Sequence, residues 1–177
     1  EVGTRQVRLT LSNVTATALT NGDFTDTLIN MSEVGGSVTG TCVGTTPNSL
    51  AANATALSFS GITIPANSSC TVIFNVTSNT AGIQPNTTSG VTTTQTPVAG
   101  TASNTATLTV FAPPTIAKAF SPTSIQTGGT SGVPVTLTHP NTGNRTGRAF
   151  TATWTQTSGV GAPVAGHCPA VIGGLDE

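Results

Sequence analysis

The chain has 177 residues, of which only 6% are charged, and its net charge is −1. A nucleic-acid-binding surface needs clustered Lys and Arg, and the five such residues of this chain argue against that class of partner. No apolar run approaches the ~20 residues that a membrane-spanning helix needs. Thr makes up about a fifth of the residues. Because β-branched residues favour strands, and Gly, Asn and Pro favour turns, the composition predicts an all-β protein.

Alternation of apolar and polar residues predicts short strands along the chain. The first of them carries Val7, Leu9 and Leu11 on one face. Seven or eight such strands joined by turns are typical of a β-sandwich with Greek-key connections. These predicted strands cover residues 4–12, 23–28, 35–42, 56–60, 61–64, 69–78, 91–96 and 105–111, and a further predicted strand follows at 115–120.

Two consecutive prolines separate the last two of these strands. Proline has no N–H to donate to a strand ladder, so Pro113 and Pro114 stop sheet pairing between 105–111 and 115–120. We interpret this joint as the border between two repeated domains.

An internal repeat supports this interpretation. Residues 1–51 fall on residues 127–177 without a gap when the sequence is shifted by 126 positions. The register predicts a first β-sandwich repeat at 1–111 that lacks its first strand, and a second repeat at 112–177 that holds the first strand and first half. The chain is then part of a longer array, or a subunit that a neighbour completes. The matching residues include Val7 with Val133, Leu11 with Leu137, Phe24 with Phe150 and Cys42 with Cys168.

The segments PPTIAKAFSPTSIQTGGT, FTDTL, IPANSSCTVIFNVTS and SNTATLTV resemble tandem repeats of large bacterial cell-surface and secreted proteins. Those repeats are Ig-like β-sandwiches used as stalks, adhesin shafts and extracellular fibres. The resemblance implies an Ig-like fold and an extracellular or cell-surface location in a bacterium. We therefore expect a structural repeat of an extracellular filament, stalk or surface array, with neighbouring copies of itself as partners. The alternative is an adhesin or glycan-binding module; neither an enzyme activity nor a cofactor or metal is expected.

Cys42 and Cys70 are predicted to form a structural disulfide, which belongs to an oxidising compartment. Cys70 lies at a core position of the strand at 69–78. The alternative is two buried free thiols. Cys168 is the equivalent of Cys42, and its partner is expected beyond the end of the chain.

Lys118 and Asp26 occupy core positions of their predicted strands, and Asn104, directly before the strand at 105–111, shares the face of its core positions. An amine buried among apolar residues is pushed toward its neutral, nucleophilic form, and a buried protonated acid could polarise the Asn104 amide. This combination suggests an isopeptide bond between neighbouring chains, formed with loss of ammonia. The alternative is a lysine whose charged end reaches solvent and an aspartate at a turn.

The strand at 115–120 is a candidate donor strand, with Ile116, Lys118 and Phe120 on one face. It could leave its own chain and fill the gap in a neighbouring sandwich by β-strand addition. Pairing of this strand within its own copy would argue against the exchange.

Asn-X-Ser/Thr sequons are candidate glycosylation sites in an extracellular chain. The seven sequons start at Asn13, Asn30, Asn53, Asn67, Asn75, Asn86 and Asn144.

Overall fold

The structure is a computed structural model that describes residues 3–141. These residues form strands and no helix, which confirms the predicted all-β class. The chain divides into two compact units, Glu1–Pro113 and Pro114–Glu177. The predicted features at Asn144 and Cys168 lie outside the described residues.

Twelve strands lie in the described residues. They are β1 (Arg5–Asn13), β2 (Leu19–Thr27), β3 (Ser32–Glu33), β4 (Gly36–Ser37), β5 (Thr39–Gly40), β6 (Ser49–Leu50), β7 (Ala56–Ile64), β8 (Ser68–Thr77), β9 (Gly82–Asn86), β10 (Ala106–Val110), β11 (Thr115–Lys118) and β12 (Val135–Thr138).

The first sheet of unit 1 is built around β8. β1 lies antiparallel to it over the whole of β1, from Arg5↔Val76 to Asn13↔Ser68. The short strands β3 and β5 pair with the other side of β8. Within residues 3–141, β8 is the only strand that pairs with β1. The opposite edge of β1 therefore has no strand beside it in this part of the chain.

The second sheet of unit 1 is built around the antiparallel pair β2–β7. Single bridges add residues 88–92 beside β2 and residues 43–46 beside β7, and β9 pairs with β10. β7 is one strand where two were predicted. The β2–β7 pairing is irregular near Gly61, and the φ of 71° that this glycine adopts lets the strand continue past that point.

Aromatic rings hold the two sheets of unit 1 together. Phe59 of β7 is fully buried, and its ring centroid lies 4.9 Å from Phe24 on the neighbouring strand β2. Across the core, the Phe59 centroid lies 5.7 Å from Phe74 of β8. Such contacts contribute beyond the area that they bury. The inward-facing apolar residues of β1, β2, β7 and β8 thus form one core between the two sheets. The Ig-like Greek-key connectivity stays a prediction.

Two sequence predictions differ from the structure in the second half of unit 1. The strand β9 was missed because it contains Pro85, which pairs with Thr107, and proline inside a strand pattern argues against a strand. Residues 91–96 were predicted as a strand, but only Thr92 forms a bridge there, to Asp23.

The described part of unit 2 is a two-stranded sheet, β11–β12. Ile116 pairs with Leu137, and Lys118 pairs with Val135. Every residue of both strands is exposed, so the predicted core position of Lys118 is wrong for the described residues. The reason is that, within residues 114–141, no second sheet covers this pair. Because β11 pairs inside its own copy, the structure also argues against an exchange that releases this strand.

Candidate functional site

A groove of about 510 Å³ runs along the edge of β1 that faces away from β8. Residues 7–12 form one wall, and residues from the segment 86–106 form the other. Leu19, Phe24 and Ile64 line the floor. The two sheets of unit 1 therefore do not close over the core on this side.

The two walls differ in chemistry. On the β1 side, Val7 and Leu9 are half-buried and Leu11 is buried. The facing wall consists mostly of small hydroxyl and amide side chains, including Thr88, Ser103 and Asn104. The groove thus offers an apolar strip, an uncharged polar wall and a strand edge with unpaired backbone groups.

Hydrogen bonds between its own residues hold the polar wall in place. Thr88 N donates to Ser103 Oγ at 3.0 Å, and Gly100 N donates to Val91 O at 3.0 Å. A Cβ atom on Gly90 would overlap the carbonyl of Gly100. This glycine therefore allows the two stretches of the wall to approach each other closely.

The buried carboxyl group of Asp26 lies next to this wall, since Asp26 bridges to Thr88. Its exposed fraction is 1%. Oδ1 accepts a hydrogen bond of 2.6 Å from Asn86 Nδ2, while Oδ2 has no hydrogen-bond partner among the described residues. Burial raises the pKa of Asp26, and the hydrogen bond from Asn86 offsets part of that rise. The carboxyl group is thus held in surroundings that favour its protonated form.

The structure buries one member of the predicted isopeptide set. Asp26 is buried as expected, but Asn104 is exposed on the groove wall, and Lys118 is exposed in unit 2. The amide that contacts Asp26 belongs to Asn86. The sequence did not predict a role for Asn86, because the neighbouring Pro85 argues against a strand at this position. Asn86 was singled out only as the start of a sequon.

The structure contains the predicted Cys42–Cys70 disulfide. Cys70 is a buried residue of the central strand β8. Cys42 follows β5, which pairs with β8, and precedes Val43, which bridges to Thr63 of β7. The bond therefore fixes the place where the chain passes from the first sheet to the second.

The sequons fall into two structural groups. Asn13 is 3% exposed, and its Nδ2 donates to Thr17 O at 2.9 Å and to Pro65 O at 3.2 Å. Asn86 Nδ2 donates to Asp26. The side-chain amides of Asn13 and Asn86 therefore already make hydrogen bonds within unit 1. The exposed sequon asparagines are Asn30, Asn53, Asn67 and Asn75.

Among residues 3–141, no helix is long and apolar enough to cross a bilayer. The same residues contain no group of three or more His, Cys, Asp or Glu side chains placed to hold a metal ion.

Among protein families, one described as a domain of unknown function (DUF7933) matches residues 1–110. Searches of curated proteins and of solved structures gave no significant match. The matched region covers most of unit 1, including the groove, the disulfide and the Asp26–Asn86 pair. Because it spans more than half of the chain, the protein belongs to the DUF7933 family.

Proposed function

We propose that this protein is a structural repeat of an extracellular bacterial filament, stalk or surface array, in which unit 1 is one Ig-like building block. The observation that carries the proposal is the internal repeat. β12 of unit 2 occupies the positions that fall on residues 9–12 of β1 after the 126-residue shift, and both form antiparallel strands. A chain that begins the same domain again directly after completing one is typical of repeat proteins.

The disulfide supports the extracellular part of the proposal. Disulfides persist in oxidising compartments and are rare in cytosol. The low charge and high Thr content of the chain suit the same location.

Localisation on the native cells tests this proposal. Antibodies raised against the chain should label intact cells in immunogold microscopy, and protease added to intact cells should remove the antigen. A cytosolic protein serves as the control and should stay protected. Labelling that requires permeabilised cells, together with free thiols at Cys42 and Cys70, would refute the proposal.

The predicted isopeptide bond has its own test. If Lys118 of one chain links to an amide of another, the linked species survives boiling in denaturant and its intact mass is lower by one ammonia per link. A Lys118→Arg variant should lose the species. A native assembly that dissociates fully in denaturant and reductant shows that no such bond forms.

The alternative, a glycan-binding module, draws on the polar wall of the groove. It predicts retention of the labelled chain on specific glycans of an array, with loss of that signal in an Asn104→Ala variant. The structural proposal predicts no such retention.

A further inference from the structure

We propose that Asn21 is a site of spontaneous covalent modification, at which the side-chain amide is lost and an aspartate or isoaspartate forms. The isoaspartate product releases the turn at residues 93–96 from its contacts with β2. This inference concerns the chemistry of unit 1 and does not depend on the cell-surface role proposed above.

β2 begins with an irregular stretch that contains Asn21. The register of its pairing with β7 shifts on both sides of Gly22. Such a bulge inserts an extra residue into one strand and requires an unusual backbone conformation there. Asn21 supplies that conformation with a φ of 50°, which asparagine tolerates better than most other residues.

Packing determines the residue that follows Asn21. Gly22 is buried, and a Cβ atom at this position would lie 3.1 Å from the carbonyl oxygen of Ile62. A residue without a side chain therefore suits the close approach of β2 to β7. The bulge and this approach together favour an asparagine directly before a glycine, and Asn21-Gly22 is the only such pair in the chain.

An Asn-Gly pair can lose ammonia with water as the only other reactant. The Gly22 nitrogen attacks Cγ of Asn21 and gives up its proton, Nδ2 leaves as ammonia, and a cyclic imide joins the two residues. Water then opens the imide at Cγ to give aspartate, or at the backbone carbonyl to give isoaspartate. Glycine favours the attack, because no side chain crowds its nitrogen.

The structure leaves the reacting side chain open to water. Asn21 is exposed, and its Nδ2 donates a hydrogen bond of 2.9 Å to Oγ1 of Thr94, which is also exposed. Water can therefore reach both the nitrogen that leaves and the imide that forms. The nitrogen that leaves is also an atom that ties β2 to the turn at 93–96.

This turn is held to β2 by further hydrogen bonds at the surface. Thr94 N donates to Thr20 O at 2.9 Å, and Thr20 N donates to Gln95 Oε1 at 2.9 Å. On the other side of the bulge, Phe24 is fixed in the core, where its ring centroid lies 4.9 Å from that of Phe59. Isoaspartate lengthens the main chain between these two anchors. The exposed contacts of Thr20 open more easily than the core does, so they give way first.

Aspartate has a smaller effect than isoaspartate. The main chain keeps its length, and a carboxylate oxygen at position 21 can accept a hydrogen bond from the hydroxyl group of Thr94. The contact then persists with donor and acceptor exchanged. Release of the turn is therefore specific to the isoaspartate product.

Peptide mapping of the full chain, produced without glycosylation and aged at neutral pH, tests the modification. Three other asparagines are exposed and have a positive φ but precede residues with a side chain, which makes them matched controls in the same molecule: Asn30, Asn53 and Asn67. We expect Asn21 to be converted at least about tenfold faster than these controls. Both aspartate and isoaspartate should be found among the products.

Hydrogen exchange tests the release of the turn. In aged chain enriched in isoaspartate, the amides of residues 93–96 should exchange at least about tenfold faster than in fresh chain. A fresh Asn21→Asp variant should exchange like the fresh parent. An Asn21→Gly variant tolerates the same φ and cannot form the imide, so ageing should leave its exchange unchanged.

Several results would overturn the proposal. Conversion of Asn21 no faster than that of the three controls would mean that the bulge protects the amide. Aspartate as the sole product would exclude the imide. Unchanged exchange of residues 93–96 in the isoaspartate form would show that the turn is not released, and an equal change in aged Asn21→Gly would place its cause elsewhere in the chain.

Discussion

Removal of the Cys42–Cys70 disulfide should lower the stability of unit 1 by about 3–4 kcal/mol. The bond joins residues separated by 28 positions, and the loss of loop-closure entropy in the unfolded chain is of that size for about 29 residues. The variant is Cys42→Ala with Cys70→Ala, since Ala at the buried position 70 introduces no polar group. Both the variant and the parent carry Cys168→Ser, so that the third thiol cannot exchange with the bond.

Thermal unfolding followed by circular dichroism measures the effect. For a unit of this size, a loss of 3–4 kcal/mol corresponds to a fall in Tm of about 10–20 °C. A reductant should lower the Tm of the parent toward that of the variant and should leave the variant unchanged. A variant that melts within about 2 °C of the parent would refute the reasoning, because the bond would then constrain neither the unfolded chain nor the crossing between the sheets.

Three further predictions concern unit 1. Burial places the pKa of Asp26 in the folded protein above its unfolded value. The stabilising contribution of Asp26 is therefore full below the unfolded pKa and is lost as pH rises through the folded pKa. Urea unfolding across acidic to neutral pH should show this fall in the free energy of unfolding in the parent and not in Asp26→Asn. Gly40→Ala should destabilise unit 1 by at least about 2 kcal/mol more than Gly36→Ala in the same assay. Both glycines have a positive φ, but only a Cβ at position 40 would overlap a backbone carbonyl, that of Thr71. Equal losses of stability in the two variants would contradict this reasoning. Asn13→Ala should cost about 1–3 kcal/mol, since it leaves the carbonyl of Ile64 in the interior and the part-buried carbonyls of Thr17 and Pro65 without their donor. A change within experimental error would show that water replaces the amide.

The strands with regular alternation were predictable from the sequence. β8 was predicted at 69–78 and lies at Ser68–Thr77, because Cys70, Val72 and Phe74 recur at every second position and face the core. The cysteine pair was predictable for a similar reason, since one member had a clear core position. In each case a local pattern determines which side of a strand is buried.

The groove and the partner of Asp26 were not predictable in this way. Both depend on which strands become neighbours, and Asn86 reaches Asp26 across 60 residues of sequence. Pro85 also argues against a strand at the position where β9 carries Asn86. The core position of Lys118 failed for the opposite reason: the alternation around it is real, but alternation reports a face of a strand and not whether a second sheet covers that face.

The position of the disulfide has a mechanical consequence for any chain that carries load through unit 1. Tension that unfolds the unit extends the polypeptide, but the 28-residue separation between Cys42 and Cys70 stays closed by a covalent bond. At about 3.4 Å per residue, the closed loop keeps roughly 95 Å of contour length out of the extended chain. An oxidised unit would therefore lengthen much less on rupture than a reduced one, and the redox state would set how far each unit stretches before the force passes to the next.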